Sequence, residues 1–228
     1  MNRILVIAAH PDDEILGQGG TVRKIADNGG ECYCLILGEG LTSRNQARDM
    51  TNKIDLRELK NDTIESSKII GYKEVFFADL PDNRFDSIDL LDIIKKVEEK
   101  IDKIKPDVVL THFYGDLNID HRITFEAVMT ACRPIGMNSV KQVICFETLS
   151  STEWSFGKVN TTFNPNYFVN ITETLKKKID AMACYKSELR DYPHPRSLES
   201  LEISAKKWGT VIGCKYAEAF EIVRKIDI

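Results

Sequence analysis

Residues 10–14 read His-Pro-Asp-Asp-Glu, one histidine and three carboxylates in a single short stretch. Three acids beside a histidine are costly to bury unless a cation or an exchanged proton compensates them. The chemistry this composition suggests is metal binding. A plainer alternative has Asp12, Asp13 and Glu14 charging the first turn of a helix, where the backbone dipole favours acids, with His10 a hydrogen-bonded turn residue. A second stretch tips the balance toward a metal. His112 precedes "YGDLNIDHR", His121 lies near its end, and Asp116, Asn118 and Asp120 stand between them. Three of the four histidines of the chain fall in these two stretches.

For the two stretches to meet, the elements before them must end on one edge of a sheet. Ile4 to Ala9 is an unbroken apolar run bounded by Arg3 and Pro11, the pattern of a strand buried inside a parallel sheet. Pro11, lacking a backbone donor, ends it. A helix is expected over Thr21–Asn28, closed by "NGG", then a strand at "ECYCLIL" and a polar loop, "GEGLTSRNQARD". Further on come a helix from Leu56 to Ile70 closed by Gly71, a strand "EVFFADL", a turn "PDNRFDS", and a helix from Ile88 to Ile104. That last helix aligns Leu90, Leu91, Ile94, Val97 and Ile101 on one face. A fourth strand, "DVVLTHF", delivers His112; a helix over Ile123–Cys132 and a strand "KQVICFET" follow. The C-terminal third is less regular, with helices over Thr172–Tyr185 and Leu198–Trp208 and a closing strand, "AEAFEIV".

The alternation implies an α/β fold of right-handed βαβ units: a Rossmann-like, mostly parallel sheet with helices on both faces. Ligands of such sheets bind beyond the carboxyl ends of the strands, where His10 and His112 fall. No repeat, low-complexity tract or linker interrupts the chain, so residues 1–228 read as one domain.

Zinc is the metal that suits the donors. Histidine nitrogen with carboxylate oxygen is a catalytic zinc set, which keeps three protein ligands and an open position. Calcium or magnesium would make less use of histidine. Iron, cobalt or manganese can occupy the same ligands.

"AHPDDE" after the first strand, with "DHR" after a later one, resembles the PIG-L/LmbE-like family of zinc-dependent deacetylases, Rossmann-like enzymes that remove acetyl groups from N-acetylglucosamine-containing compounds and related amino sugars. The resemblance extends to "LRELKNDTIESSKIIG", "HPRS" and "YAEAF" and covers most of the chain. It implies one zinc per chain held by His10, Asp13 and His121, with Asp12 as the general base that takes a proton from the zinc-bound water and returns it to the departing amine. Glu14 then has no direct task and caps or orients the turn. Asp120, beside a ligand, either orients a histidine or caps the following helix.

The resemblance breaks at one position. Many members carry a histidine three residues before the last ligand, where it helps stabilise the oxyanion; this chain has Asn118, which can donate a hydrogen bond but supplies no cation. His194 of "YPHPRS" is the expected substitute and His112 the alternative. Arg57 matches a family arginine that contacts substrate hydroxyl or phosphate groups, and Arg196 follows the same logic. Trp154, Phe156 and Tyr167 either wall a sugar pocket or pack in the core.

Composition limits the other readings. A hydrophobic fraction of 43%, a charged fraction of 29% and a net charge of −4 describe an ordinary folded chain without the basic patch of a nucleic-acid binder. No apolar run reaches the ~18 residues of a membrane span, and no signal peptide precedes the first strand, so the expected address is cytoplasmic. The six cysteines form no C-x-x-C pair; Cys32 and Cys34 read as small buried residues on one strand face, and disulfides are not expected. The expected partner is a small N-acetyl amino sugar. The alternatives are an amidase acting on a thiol conjugate or antibiotic intermediate, and a non-catalytic nucleotide- or sugar-binding module. Against a dinucleotide site, "GQGGT" is not G-x-G-x-x-G and follows the acidic turn rather than the strand.

Overall fold

A computed structural model describes residues 3–44, 48, 52–135, 140–158 and 161–227. The polar loop expected at "GEGLTSRNQARD" lies partly outside the described residues. In chain order the elements are β1 (Arg3–Ala8), α1 (Asp13–Leu16), α2 (Gly19–Asp27), β2 (Glu31–Gly38), α3 (Lys53–Ile70), β3 (Glu74–Leu80), α4 (Leu90–Ile104), β4 (Val108–His112), α5 (Ile119–Ala131), β5 (Gln142–Phe146), β6 (Tyr167–Asn170), α6 (Leu175–Met182), α7 (Leu198–Ile212) and β7 (Ala217–Lys225).

The strands form one seven-stranded sheet in the order β3-β2-β1-β4-β5-β7-β6. Strands β1 to β5 pair in parallel, and β7 runs antiparallel between β5 and β6. The α/β, mostly parallel fold is therefore the observed one. Alternation along β1 splits the core in two. Ile4 and Val6 pack with Val22 of α2, Leu59 and Ile70 of α3 and Met182 of α6. Leu5 and Ile7 face the other way, against Ile93 and Val97 of α4 and Ala127 and Val128 of α5. Helices thus cover both faces, and buried β1 anchors both cores.

Several boundaries differ from expectation. Helix α3 starts at Lys53 because the Asn52 side chain accepts the Ile54 N–H at 2.9 Å and caps the first turn. Helix α5 starts at Ile119, four residues early, since Asn118 caps it by accepting the Asp120 N–H at 2.8 Å. Strand β6 falls in the stretch read as irregular, and α6 is shorter than expected. Leu90 and Leu91 do not belong to the buried face of α4: they sit in its first turn, 37% and 60% exposed, while Ile93, Ile94, Val97, Ile101 and Ile104 face inward. Gly17 of "GQGGT" serves close packing, because a Cβ there would lie 2.3 Å from the Phe146 ring and 2.9 Å from the Glu147 carbonyl oxygen.

The chain runs outward from β1 through β2 to β3 and then crosses back to β4 on the other side of β1. The carboxyl ends of β1 and β4 thus flank the topological switch point, where open α/β sheets bind ligands. Among the described residues no helix is long and apolar enough to cross a membrane.

Candidate metal centre

At the end of β1 the chain turns sharply. Asp12 takes a positive φ of 101° and opens the single-turn α1. The turn directs His10, Asp12 and Asp13 into a cavity of about 190 Å³. Asn118 and His121, from the cap and first turn of α5, line the opposite side, and Asp82, Glu188 and Arg196 complete the polar wall. Leu16, Leu41, Leu59 and Leu149 supply apolar surface.

Three donor atoms converge. Asp13 Oδ2 is 3.4 Å from His10 Nδ1 and 3.4 Å from His121 Nε2, and the two imidazole nitrogens are 3.3 Å apart. Bonds of about 2.0–2.1 Å to a tetrahedral zinc would place its donors about 3.3 Å from one another. The donor set therefore fits a zinc-sized divalent ion in both chemistry and spacing. A second group, His10 with Asp82 and Asp120, uses the other ring nitrogen: His10 Nε2 is 3.0 Å from Asp120 Oδ2 and 3.3 Å from Asp82 Oδ1. Both acids are held from behind. Asp120 accepts the Phe85 N–H at 3.0 Å, and Asp82 accepts the Ser43 N–H at 3.0 Å and its hydroxyl at 2.6 Å. An Nε2–H donated to these carboxylates leaves the Nδ1 lone pair for an ion, the usual arrangement of a ligating histidine.

His121 has its own carboxylate, with Nδ1 3.1 Å from Asp116 Oδ1. Asp116 is fully buried and gripped by the Ser151 and Thr152 hydroxyls and the Asn118 N–H. Burial works against charge on both partners, but their mutual attraction prevails: His121 is pushed up to about 9 and Asp116 down to about 2. His10 also rises well above the ordinary histidine range, because Asp120, Asp13 and Asp82 outweigh its burial. Asp13 stays well below the ordinary carboxylate range: burial opposes its charge, and the positive charges of His121 and His10 overcome that. In the metal-free protein, protons on two histidines thus stand where a divalent ion's charge would act.

His112 plays a different part. It is fully buried and stacked on His121 at 3.9 Å between ring centroids. Its Nε2 accepts the Ala9 N–H at 2.8 Å, which fixes the proton on Nδ1, 3.0 Å from the Thr148 hydroxyl. Burial, helped by the neighbouring His121, holds it down at about 3. With both nitrogens used, it ties β1 to β4 and has no donor left for a substrate.

The PIG-L model, described as GlcNAc-PI de-N-acetylase, matches residues 5–132, more than half of this chain. The chain belongs to the PIG-L family. Diacetylchitobiose deacetylase of Thermococcus kodakarensis is 26% identical over 232 residues, spanning 98% of this chain and 84% of that protein. Among solved structures, the conserved protein TT1542 of Thermus thermophilus aligns with a TM-score of 0.78 at 23% identity, covering 100% of this chain and 97% of that one. GalB, the 4-carboxy-2-hydroxymuconate hydratase of Pseudomonas putida KT2440, aligns with a TM-score of 0.77 at 19% identity over 100% of this chain and 98% of its own. The last two show the fold alone, since the same fold carries a hydratase.

Of the residues singled out in the sequence, His10, Asp12, Asp13, Asn118, His121 and Arg196 meet in the cavity, and Asp120 lies directly behind His10. Two do not arrive. Arg57 is exposed on α3; two positions from the buried Leu59, it points to the opposite side of the helix. His194 does not line the cavity: its Nδ1 accepts the Arg196 N–H at 3.1 Å and its ring packs edge-on to Trp154. The "YPHPRS" turn thus presents Arg196 instead. Asn118 is committed as well, its Oδ1 to the helix cap and its Nδ2 to Asn83 Oδ1 at 2.9 Å. Trp154, Phe156 and Tyr167 lie outside the cavity lining, Phe156 being 78% exposed.

Sequence reasoning passed over Asp82 and Glu188 and gave Asp116 no role of its own. Asp82 follows β3 at the same sheet edge and was findable by the strand-end rule that located His10. Asp116 stood within the second stretch without a partner to reveal its role. Glu188 carries no local signal.

Proposed function

We propose that this protein is a zinc-dependent N-deacetylase acting on N-acetylated amino sugars of the N-acetylglucosamine type, with the chain acting as a single domain and one ion held by His10 Nδ1, Asp13 Oδ2 and His121 Nε2. The observation that carries the reading is the near-equal spacing of these donors, 3.3, 3.4 and 3.4 Å. Iron, cobalt or manganese suit the same set. The relative that spans almost the whole chain is a deacetylase of diacetylchitobiose, a compound of the proposed class.

The bound ion would supply Lewis acidity, polarising an amide carbonyl and acidifying a water. Asp12 is the general base. Burial first, then the charges of Asp13 and Glu188, push its carboxyl well above the ordinary range, although Arg196 acts the other way. A carboxylate with raised proton affinity suits transfer near neutral pH. Asp12 takes a proton from the attacking water, and as the C–N bond breaks it hands that proton to the leaving nitrogen, giving acetate and the free amine. Asp120 and Asp82 orient His10, and Asp116 orients His121. Arg196, the described cation of the cavity wall, contacts Asp12; Arg57 is reserved for parts of a substrate outside the cavity.

The test combines metal analysis with acetate release from N,N′-diacetylchitobiose and other N-acetylglucosamine derivatives, with Asp12→Asn alongside. About one zinc per chain is expected, with acetate release lost in the variant. Zinc without acetate from any of these compounds would overturn the substrate class and turn the search to other amides. A protein that takes up no metal would overturn the mechanism and favour a binding module.

A further inference from the structure

The backbone at Asp12 does not hold itself. A φ of 101° is disfavoured for any residue with a Cβ, and such conformations persist where surrounding structure over-determines them. Two sets of contacts do so here. On the backbone side, Glu14 Oε2 accepts the Asp12 N–H at 2.9 Å, while Glu14 Oε1 accepts the Tyr185 hydroxyl. The Tyr72 hydroxyl donates to the Glu14 carbonyl at 3.1 Å. On the carboxylate side, Arg196 Nη1 lies 3.3 Å from Asp12 Oδ2 and 2.9 Å from Glu188 Oε2.

Tyr185, Glu188 and Arg196 belong to one stretch between α6 and α7. The Glu188 N–H donates to the Tyr185 carbonyl at 3.0 Å, and the Arg190 N–H to the Arg196 carbonyl at 3.4 Å, so the stretch folds back on itself. Tyr185 is fully buried and Glu188 nearly so. The guanidinium does not form a two-pronged pair with either acid. A single nitrogen is shared between Glu188 and Asp12, and Nε is buried without a partner among the described residues. A purely structural pair would be better satisfied by the planar fork.

We propose that residues 185–196 form a clamp that positions Asp12: Tyr185 acts through Glu14 on its backbone, and Arg196, held by Glu188, acts on its carboxylate. The clamp deepens the deacetylase reading, on which the role of Asp12 rests. It gives the irregular C-terminal third a task in the reaction, and it makes Arg196 a positioning residue in place of the substrate contact expected from the sequence.

The test compares zinc-loaded wild type with Arg196→Ala, Glu188→Gln and Tyr185→Phe by steady-state kinetics on N,N′-diacetylchitobiose and by crystallography. Misplacing a catalytic group by about 1 Å costs about 10²-fold, so Arg196→Ala should lower kcat by about that factor. KM should stay within about threefold, since no ground-state contact is lost. Zinc content should be unchanged, and added guanidinium should restore part of the rate. Glu188→Gln and Tyr185→Phe, which keep side-chain volume, should lower kcat by about tenfold each, guarding against a folding defect in the alanine variant. The Asp12 carboxylate should be displaced in the Arg196→Ala crystal. A raised KM with kcat intact would overturn the clamp and return Arg196 to substrate binding, and so would unchanged kinetics. If wild type releases no acetate, the deacetylase reading fails by itself. The crystals then judge the clamp alone, and an Asp12 unmoved in all three variants overturns it.

Discussion

Two buried groups of charge lie on the same molecule and end differently. Beneath α2, Glu218 of β7 accepts the N–H groups of Gly20 and Thr21 at 2.9 and 2.7 Å and the Lys178 ammonium at 2.7 Å. Its charge is completed by a helix N-terminus and one cation, all supplied by the chain. Around the end of β1 the sum does not close. Asp12, Asp13, Asp82, Asp116, Asp120 and Glu188 gather there with Arg196 as the described guanidinium, and the remaining compensation is protons, on His10 and His121 and through the raised proton affinity of Asp12 itself. A buried charge satisfied by its own chain is architecture. A buried surplus of one sign, with donors spaced for a divalent ion, is a place where something binds.

The sharpest way to break this distinction is at the catalytic turn. Asp12→Asn should keep its zinc, fold normally and lose about 10²–10⁴-fold in kcat, the range for a general base. Acetate release measured beside metal analysis checks it. The opposite behaviour is expected of the closed group. Lys178→Met leaves Glu218 buried without its cation and should cost about 3–5 kcal/mol in denaturant unfolding, with metal content untouched. Loss of zinc in that variant would erase the contrast between the two groups.

Smaller effects sharpen the comparison. Asp116→Asn removes the charge behind His121 and should weaken zinc about 10–100-fold, read by competition with a chelating dye. The protons standing in for the ion make the site sensitive to pH. His121 lies at about 9 in the folded metal-free protein against about 6.5 when unfolded. Its raised value stabilises the metal-free fold fully below about pH 6.5, and that contribution is lost as pH rises through about 9. Zinc must displace the same proton, so its affinity rises over that interval. The gap in Tm between zinc-loaded and chelator-treated protein should therefore widen from pH 6.5 to 9. His112, held at about 3, is neutral in the folded protein across this window, and its unfolded form is common to the zinc-loaded and chelator-treated samples, so it does not disturb the comparison. Smallest of all, Leu91→Ser on the exposed start of α4 should change stability by no more than about 0.5 kcal/mol.

The surplus was legible in the sequence because it is local. His10 to Glu14 and His112 to His121 each carry their acids within a few positions, and the apolar run of β1 fixed where the first group would sit. Sheet class followed from the strand–helix alternation. What stayed hidden depends on contacts between distant segments. Lys178 and Glu218 look like surface charges until α6 meets β7, and Tyr185, Glu188 and Arg196 have no common signature before the chain folds back on Asp12. The start of α5 was misplaced because Asn118 was read for its amide chemistry and acts as a helix cap. Strand β6 is four residues long and follows "NPN", too short to show alternation. Leu90 and Leu91 fit the helical period, yet both sit exposed in the first turn of α4, and the buried face begins at Ile93.

The central claim is that His10, Asp13 and His121 complete their charge with a divalent ion. Anomalous diffraction from crystals soaked in zinc, collected on both sides of the zinc absorption edge, tests it most directly. The account predicts one strong peak per chain within bonding distance of His10 Nδ1, Asp13 Oδ2 and His121 Nε2. A peak on the far side of His10, between Asp82 and Asp120, or no peak at all, would contradict it.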